Sequence, residues 1–427
     1  MRSILLASAL AAVLATTASA QTPSAVPASG AAQNAQVQGG GRGAAVVSPE
    51  VSADGRVTVR LRAPDATSVT VTGLGVAPLP MTKDAQGVWS ATTAAALPPE
   101  IYPYSFTVDS VRVPDPGNMT NSWAGMSAGA SAATSTLFVP GEPWSNTDAP
   151  HGAVAKHVYK SAIIGASETY FVYTPPGYDP KRKAAYPVVV LLHGLGNNAQ
   201  DWITQAGANL TLDTLITEGK AVPMILVTPA SYGNADGQRG AAAGFPNFTK
   251  ALIEEIMPQV EKGYNASKKA TDHAISGLSM GAAQSLLLLN RLDQFTWIGS
   301  FSPGFDMYAP TWGQPAAGGN GANGSGRGGA AAGAPTGVRM RPVLADGNLA
   351  SIFPTLDGKA NSKIKLLYIA CGTEDDHLAL TQQFKTFLDA RGVKVTSYLE
   401  VPGFAHVWPF WRRQFASFAP LLFKSPK

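Results

Sequence analysis

Between a strand-like stretch, Asp272 to Ser276, and an apolar helix-like run, Ala282 to Leu292, stands the pentapeptide Gly277-Leu278-Ser279-Met280-Gly281. This order constrains the fold more than any other feature of the chain. A strand that passes into a helix over Gly-x-Ser-x-Gly needs small residues around the serine, and the tight turn lifts the hydroxyl clear of the sheet edge. The bare pattern is weak, because a chain with 44 glycines yields roughly a third of a match by chance. A second match, Gly125-Met126-Ser127-Ala128-Gly129, makes the point: no apolar strand precedes it, and Ala-Ser-rich sequence follows. Context therefore selects Ser279 as the candidate nucleophile and rejects Ser127.

From about residue 155 to 424 the chain alternates strand-like and helix-like stretches, the pattern of a parallel sheet wrapped by helices, so the expected class is α/β. Strands are expected at Tyr170–Tyr173, Val188–Leu192, Met224–Thr228, Trp297–Phe301, Ile364–Ala370 and Val395–Val401. Helices are expected at Leu210–Glu218, Phe248–Lys262, His377–Arg391 and Trp408–Phe418. Residues 313–337 are mostly Gly, Ala and Pro, which cannot build a core, and are read as a disordered insertion. Ahead of this domain, residues 46–140 carry short alternating runs such as Val57-Thr58-Val59-Arg60-Leu61, separated by turn signals, and predict a small β-sandwich. Residues 114–155, rich in Gly, Ala, Ser and Pro, are read as the end of that module and a connector.

Residues 21–45 lack the apolar surface to offset ordering entropy and read as a disordered linker. Residues 1–20 read as a signal peptide, with Arg2, the apolar stretch Ile4 to Val13 and the small-residue site Ala18-Ser19-Ala20. The product is accordingly expected to be secreted or periplasmic. No later stretch is long and apolar enough for a membrane span, so no membrane partner is expected. A single cysteine, Cys371, excludes an internal disulfide. Net charge is +4, with no run of five basic residues, so nucleic acid is not an expected partner. Nothing in the sequence sets an oligomeric state.

A serine hydroxyl attacks near neutral pH only with a base in hydrogen-bond reach and a third group to orient that base. In sheets of this kind the partners follow in the order Ser, Asp or Glu, His. Only His377 and His406 lie beyond Ser279. His377 follows the acid candidates with no strand between, whereas His406 lies in the loop after Val395–Val401, so His406 is the expected base. The acid belongs to Gly372-Thr373-Glu374-Asp375-Asp376; Asp375 is preferred, and Asp376 and Glu374 stay open because a shift of one residue in a turn redirects the side chain. An oxyanion needs preset donors. The Met280 amide follows the nucleophile, and the loop His193-Gly194-Leu195-Gly196 follows the Val188–Leu192 strand, with Leu195 as the expected second donor. His193 precedes the nucleophile and reads as a packed loop support. Trp202, Trp408 and Trp411 could stack on a sugar or aromatic acyl group and Gln284 could orient one, with core packing as the competing role for each. No clustered His, Cys or carboxylate ligand set is visible, so no metal and no organic cofactor is implied.

These residues resemble the carbohydrate esterases related to esterase D, which include feruloyl esterases and acetylxylan esterases. The likeness rests on Tyr173-Thr174-Pro175-Pro176-Gly177-Tyr178, Leu191-Leu192-His193-Gly194, Gly277-Leu278-Ser279-Met280-Gly281, Cys371-Gly372-Thr373-Glu374-Asp375, and Pro402-Gly403-Phe404-Ala405-His406 with Trp408 and Trp411. It implies an α/β-hydrolase doubly wound sheet over residues 155–424, with Ser279, Asp375 and His406 as triad and the Leu195 and Met280 amides as oxyanion hole. Two departures are Ala282 and Ala283, where relatives often carry glycines, and the insertion near residue 313. The front module resembles immunoglobulin-like carbohydrate-binding modules of the glycogen-binding type, on Pro49-Glu50-Val51, Arg62-Ala63-Pro64 and Gly87-Val88-Trp89. Such modules bind sugar or serve only as spacers, and Trp89 is either a binding or a core aromatic. The expectation is a secreted serine esterase acting on feruloyl or acetyl esters of xylan. A siderophore trilactone esterase and a non-catalytic polysaccharide-binding protein are the alternatives.

Overall fold

The protein is described here from a computed structural model, which defines residues 46–123, 134–234, 244–308, 344 and 348–424. The predicted signal peptide, the linker, the rejected Ser127 and the insertion at 313–337 lie outside the described residues.

Alternation builds the front module. In Val57–Arg62 every second residue is apolar, so Val57, Val59 and Leu61 point inward from one face. That strand pairs antiparallel with Glu50–Val51 and Val88–Thr92, and Thr82–Lys83 completes the first sheet. A second antiparallel sheet is built on Glu100–Val108, flanked by Val69–Thr72 and Thr134–Val139. One core joins the two, with Val59, Val71, Trp89, Phe106 and Leu137 among its members. Trp89 is buried and donates its indole N–H to the Ala63 carbonyl at 2.9 Å, so it is a core aromatic. Thr134–Val139 falls in sequence read only as module end and connector; its register against Glu100–Tyr104 makes it a strand.

The main sheet has eight strands in the order Ala153–Lys160, Ser167–Thr174, Ile225–Pro229, Val188–Leu192, His273–Gly277, Trp297–Phe301, Leu366–Gly372 and Ser397–Val401. The first three pair antiparallel and the rest parallel. Val188–Leu192 is buried on both faces: Val188, Val190 and Leu192 enter one core, Val189 and Leu191 the other. Phe248, Leu252, Val260, Leu286, Phe384 and Leu388, from the helical segments between 245 and 263, 280 and 287, and 378 and 390, fill the first core. Trp202, Leu212, Leu215, Phe410 and Phe415 fill the second. Helices thus cover both faces, as a doubly wound α/β sheet requires. The edge strand Ala153–Lys160 straddles the expected domain start at residue 155, where the sequence predicts no strand before Tyr170. Its exposed, mixed-polarity pattern carries no burial signal, and only pairing with Ser167–Thr174 defines it.

The front module meets this domain at the C-terminal helix, Trp408–Phe418. Glu100 pairs with Arg412 at 2.7 Å and with Arg413 at 2.9 Å, and Arg412 also donates to the Gln205 carbonyl.

Candidate active site

The strand His273–Gly277 ends one residue before Leu278, and the helix begins at Met280, leaving Ser279 at the point where the chain reverses. It does so at φ +53° and ψ −114°, outside the regions L-residues prefer. Such a conformation costs about 1–3 kcal/mol and persists only where neighbours hold it. The Ser279 N–H donates to Phe301 O at 3.0 Å, and its carbonyl accepts from Ala283 N–H and Gly304 N–H. The turn is therefore fixed from three sides.

The loop after Val188–Leu192 lies against this turn: a Cβ added to Gly194 would stand 3.3 Å from the Ser279 Cβ. Tyr232 braces the loop, accepting from Gly196 N–H and donating to the Asn197 carbonyl. His193 is buried; its Nδ1–H donates to Gly194 O, and its Nε2 accepts from Ser231 N–H. The imidazole thus supports the loop from inside. Leu195 is half-buried next to the apolar trio Phe245, Met280 and Met307. Among the described residues neither the Leu195 nor the Met280 N–H is engaged by a turn or loop carbonyl.

At the next strand ends, the loops that carry Asp375 and His406 are zipped together. Thr373 N–H donates to Val401 O, Glu374 N–H to Phe404 O, and Gly403 N–H to Thr373 Oγ1. A Cβ on Gly372 would fall 2.0 Å from Phe404 O, so only glycine permits this approach. Asp375 is fully buried, and both its oxygens stand 3.0 Å from His406 Nδ1. Because a carboxylate only accepts, His406 Nδ1 carries the proton and Nε2 is left as the acceptor. Burial opposes ionisation of Asp375, but the His406 charge and the hydrogen bonds from His377 and His406 outweigh it and hold the carboxyl below the usual range. Burial, then the neighbouring His377 charge, lowers the His406 pKa; Asp375 opposes without overcoming them.

Of the sequence candidates, the structure joins Asp375 to His406 and sets the Leu195 loop against the Ser279 turn. Asp376 keeps 31% side-chain exposure and contacts His377. The aromatic candidates need correction. Trp202 is fully buried, donates to Leu192 O and packs against Phe301, Trp408 and Phe415, so it offers no face to a ligand. Gln284 is fully buried too, donating to the Ser231 carbonyl, and acts on the His193 support. Trp411 is 5% exposed; it sets its ring edge-on to His406 at 4.8 Å and donates to Ser302 Oγ at 3.2 Å, holding the His406 loop on the sheet. Trp408 is half-buried and stands edge-on to Trp202 and Trp411.

Sequence reasoning missed a cluster. Asp375, Asp376, His377 and His406 bring ligand-type atoms within 4.8 Å of one another, which spacing in the chain did not show. The cluster does not suit a cation. The two imidazoles stack at 4.3 Å with 20° between planes, and nearly parallel rings cannot both aim an in-plane lone pair at one ion.

The family model named Esterase matches residues 161–421. An endo-1,4-beta-xylanase/feruloyl esterase of Xylanibacter ruminicola is 33% identical over 271 residues, 61% of this chain and 36% of that protein, so the chain spans about a third of that relative's length. The enterobactin esterase of Shigella flexneri matches in structure with a TM-score of 0.53 at 18% identity, covering 86% of this chain and 92% of that one. A ferulic acid esterase of Anaeromyces mucronatus matches with a TM-score of 0.48 at 23% identity, covering 65% and 93%. A family model that spans most of the main domain, over a doubly wound sheet with this turn at its strand end, shows that the chain belongs to the esterase family.

Proposed function

We propose that the protein is a serine esterase that removes feruloyl or acetyl groups from plant cell-wall polysaccharide of the xylan type, through an acyl-enzyme. The observation that carries this reading is the Asp375–His406 contact, which leaves His406 Nε2 as acceptor, beside a family match whose span includes the strained Ser279 turn. His406 takes the Ser279 proton as the hydroxyl attacks the ester carbonyl. The Leu195 and Met280 amides receive the oxyanion, and the alcohol leaves with the proton from His406. Water, activated by the same imidazole, then releases the acid. Half-buried Trp408 is the remaining aromatic candidate for a substrate contact. The xylanase/feruloyl esterase relative supports the polysaccharide side of the reading. We further propose export through the segment 1–20, and an immunoglobulin-like front module that serves as a spacer packed on the catalytic domain.

Comparing turnover of methyl ferulate, acetylated xylan and a catecholate trilactone tests the substrate class. Methyl ferulate or acetylated xylan should lead; preference for the trilactone would replace this reading with siderophore hydrolysis, and sugar retention without any ester hydrolysis would replace it with a binding protein.

The lowered His406 pKa sets the direction of the pH profile. Only neutral imidazole accepts a proton, and a pKa below the ordinary value of about 6.5 keeps it neutral further into acid. The acid limb of kcat/KM for p-nitrophenyl acetate should therefore fall below about pH 6.5, and a limb above that value contradicts the assignment.

A further inference from the structure

His377 was set aside as a base because no strand separates it from the acid, yet the fold places it at the centre of the site. It is 1% exposed. Its Nδ1 stands 3.1 Å from Asp375 Oδ1 and 2.7 Å from Asp376 Oδ1, and its Nε2 stands 3.8 Å from Asp306 Oδ1. The peptide N–H of His377 donates to the same Asp375 oxygen at 2.9 Å. Thr381 ties the His377 carbonyl from both its N–H and its hydroxyl. The ring lies flat on His406, and a Cβ added to Gly304 would stand 3.4 Å from His377 Nε2 and 3.3 Å from the Ser279 carbonyl carbon. The imidazole thus reaches from the acid to the backbone beside the nucleophile turn.

We propose that His377 is a positioning residue for this site: its Nδ1–H pins one oxygen of Asp375, holding the acid in one geometry against His406 through the proton transfers. This rests on the reading of Ser279, Asp375 and His406 as the reacting groups. Two acceptor-only carboxylates face Nδ1, so that nitrogen carries the proton. His406 Nδ1 lies 3.0 Å from each Asp375 oxygen, a bifurcated contact that by itself leaves the carboxylate free to rotate about its own axis. The donors from His377 fall on Oδ1 alone and remove that freedom. His377 is not the base. It is enclosed, with Nε2 turned toward Asp306, whereas His406 keeps 26% side-chain exposure where a substrate can arrive.

The test compares His377→Asn, whose amide nitrogen stands where Nδ1 stood, with His377→Gln, whose amide nitrogen stands where Nε2 stood. Both are neutral and polar, and thermal unfolding of each confirms the fold. On p-nitrophenyl acetate, Gln should lower kcat about tenfold to a hundredfold with KM within about twofold, while Asn stays within about threefold of wild type, as expected for loss and rescue of a sub-ångström alignment. Equal kcat for the two variants, or wild-type kcat for Gln, overturns the proposal. A loss in both as deep as that of Ser279→Ala overturns it too, by making His377 a direct participant. Should the Gln variant not fold, His377→Phe keeps the stacked ring without the donor and should show the same loss. Ser279→Ala, run alongside, separates the two readings: if it turns over at wild-type rate, the parent assignment fails whatever the His377 variants do.

Discussion

Ser279→Ala is expected to lower kcat on p-nitrophenyl acetate by about 10⁴-fold or more, with KM within about threefold. The hydroxyl is the only part removed. Alanine keeps the Cβ that makes φ +53° unfavourable, and the hydrogen bonds that fix the turn all involve backbone atoms, so the fold should be unchanged. The residual rate should still exceed that of buffer, because donors preset for the oxyanion act without the nucleophile. Acylation offers a direct check. Wild type should trap a covalent acyl group in a burst or by mass spectrometry, and Ser279→Ala should trap none. A variant that retains wild-type turnover, or carries the acyl group on another residue, removes Ser279 from the mechanism.

The legibility of this site in the sequence follows from which signals are local. The turn at Ser279 is local, since its small neighbours and flanking apolar runs all lie within about twenty residues, and strand Val188–Leu192 and helix Trp408–Phe418 fall on their expected bounds for the same reason. The acid was legible to within three positions. Chain order reaches the loop, but only tertiary packing decides that Asp375 turns inward to His406 while Asp376 keeps partial exposure. The place of His377 beside the acid was not legible, because linear order measures neither stacking nor enclosure. Trp202 and Gln284 show the opposite error. Large and polar side chains near a site invite a ligand role, yet Trp202 finds its partner in the Leu192 carbonyl and Gln284 in that of Ser231, inside the core. Thr134–Val139 and Ala153–Lys160 had weak patterns because their definition comes from neighbours far along the chain.

Glu100→Ala is expected to destabilise the protein by about 3–5 kcal/mol, far beyond the 0–1 kcal/mol typical of an exposed pair. The difference lies in what the substitution leaves behind. Arg412 has 3% side-chain exposure, and burial pulls its guanidinium down to about 10 against the stabilising charge of Glu100. Without Glu100 it keeps only the Gln205 carbonyl among these partners. A buried cation is then uncompensated, and that uncompensated charge, more than the lost bond, sets the cost. Arg413 should suffer less, because it is one-third exposed and lies over the Trp144 and Phe404 rings. Replacing both ends with apolar residues, Glu100→Leu with Arg412→Met, should recover most of the stability, since the one charge left without Glu100, Arg413, is a third exposed to water. The pair also bears on chemistry. Arg412 belongs to the helix that starts two residues after His406 and carries Trp411, which holds the base loop. Approaching its lowered urea midpoint, Glu100→Ala should lose esterase activity before global unfolding, and the double variant should not. Urea unfolding of the three proteins, followed by both fluorescence and activity, checks both points; a Glu100→Ala cost below about 1 kcal/mol would show that the front module is not anchored through this pair.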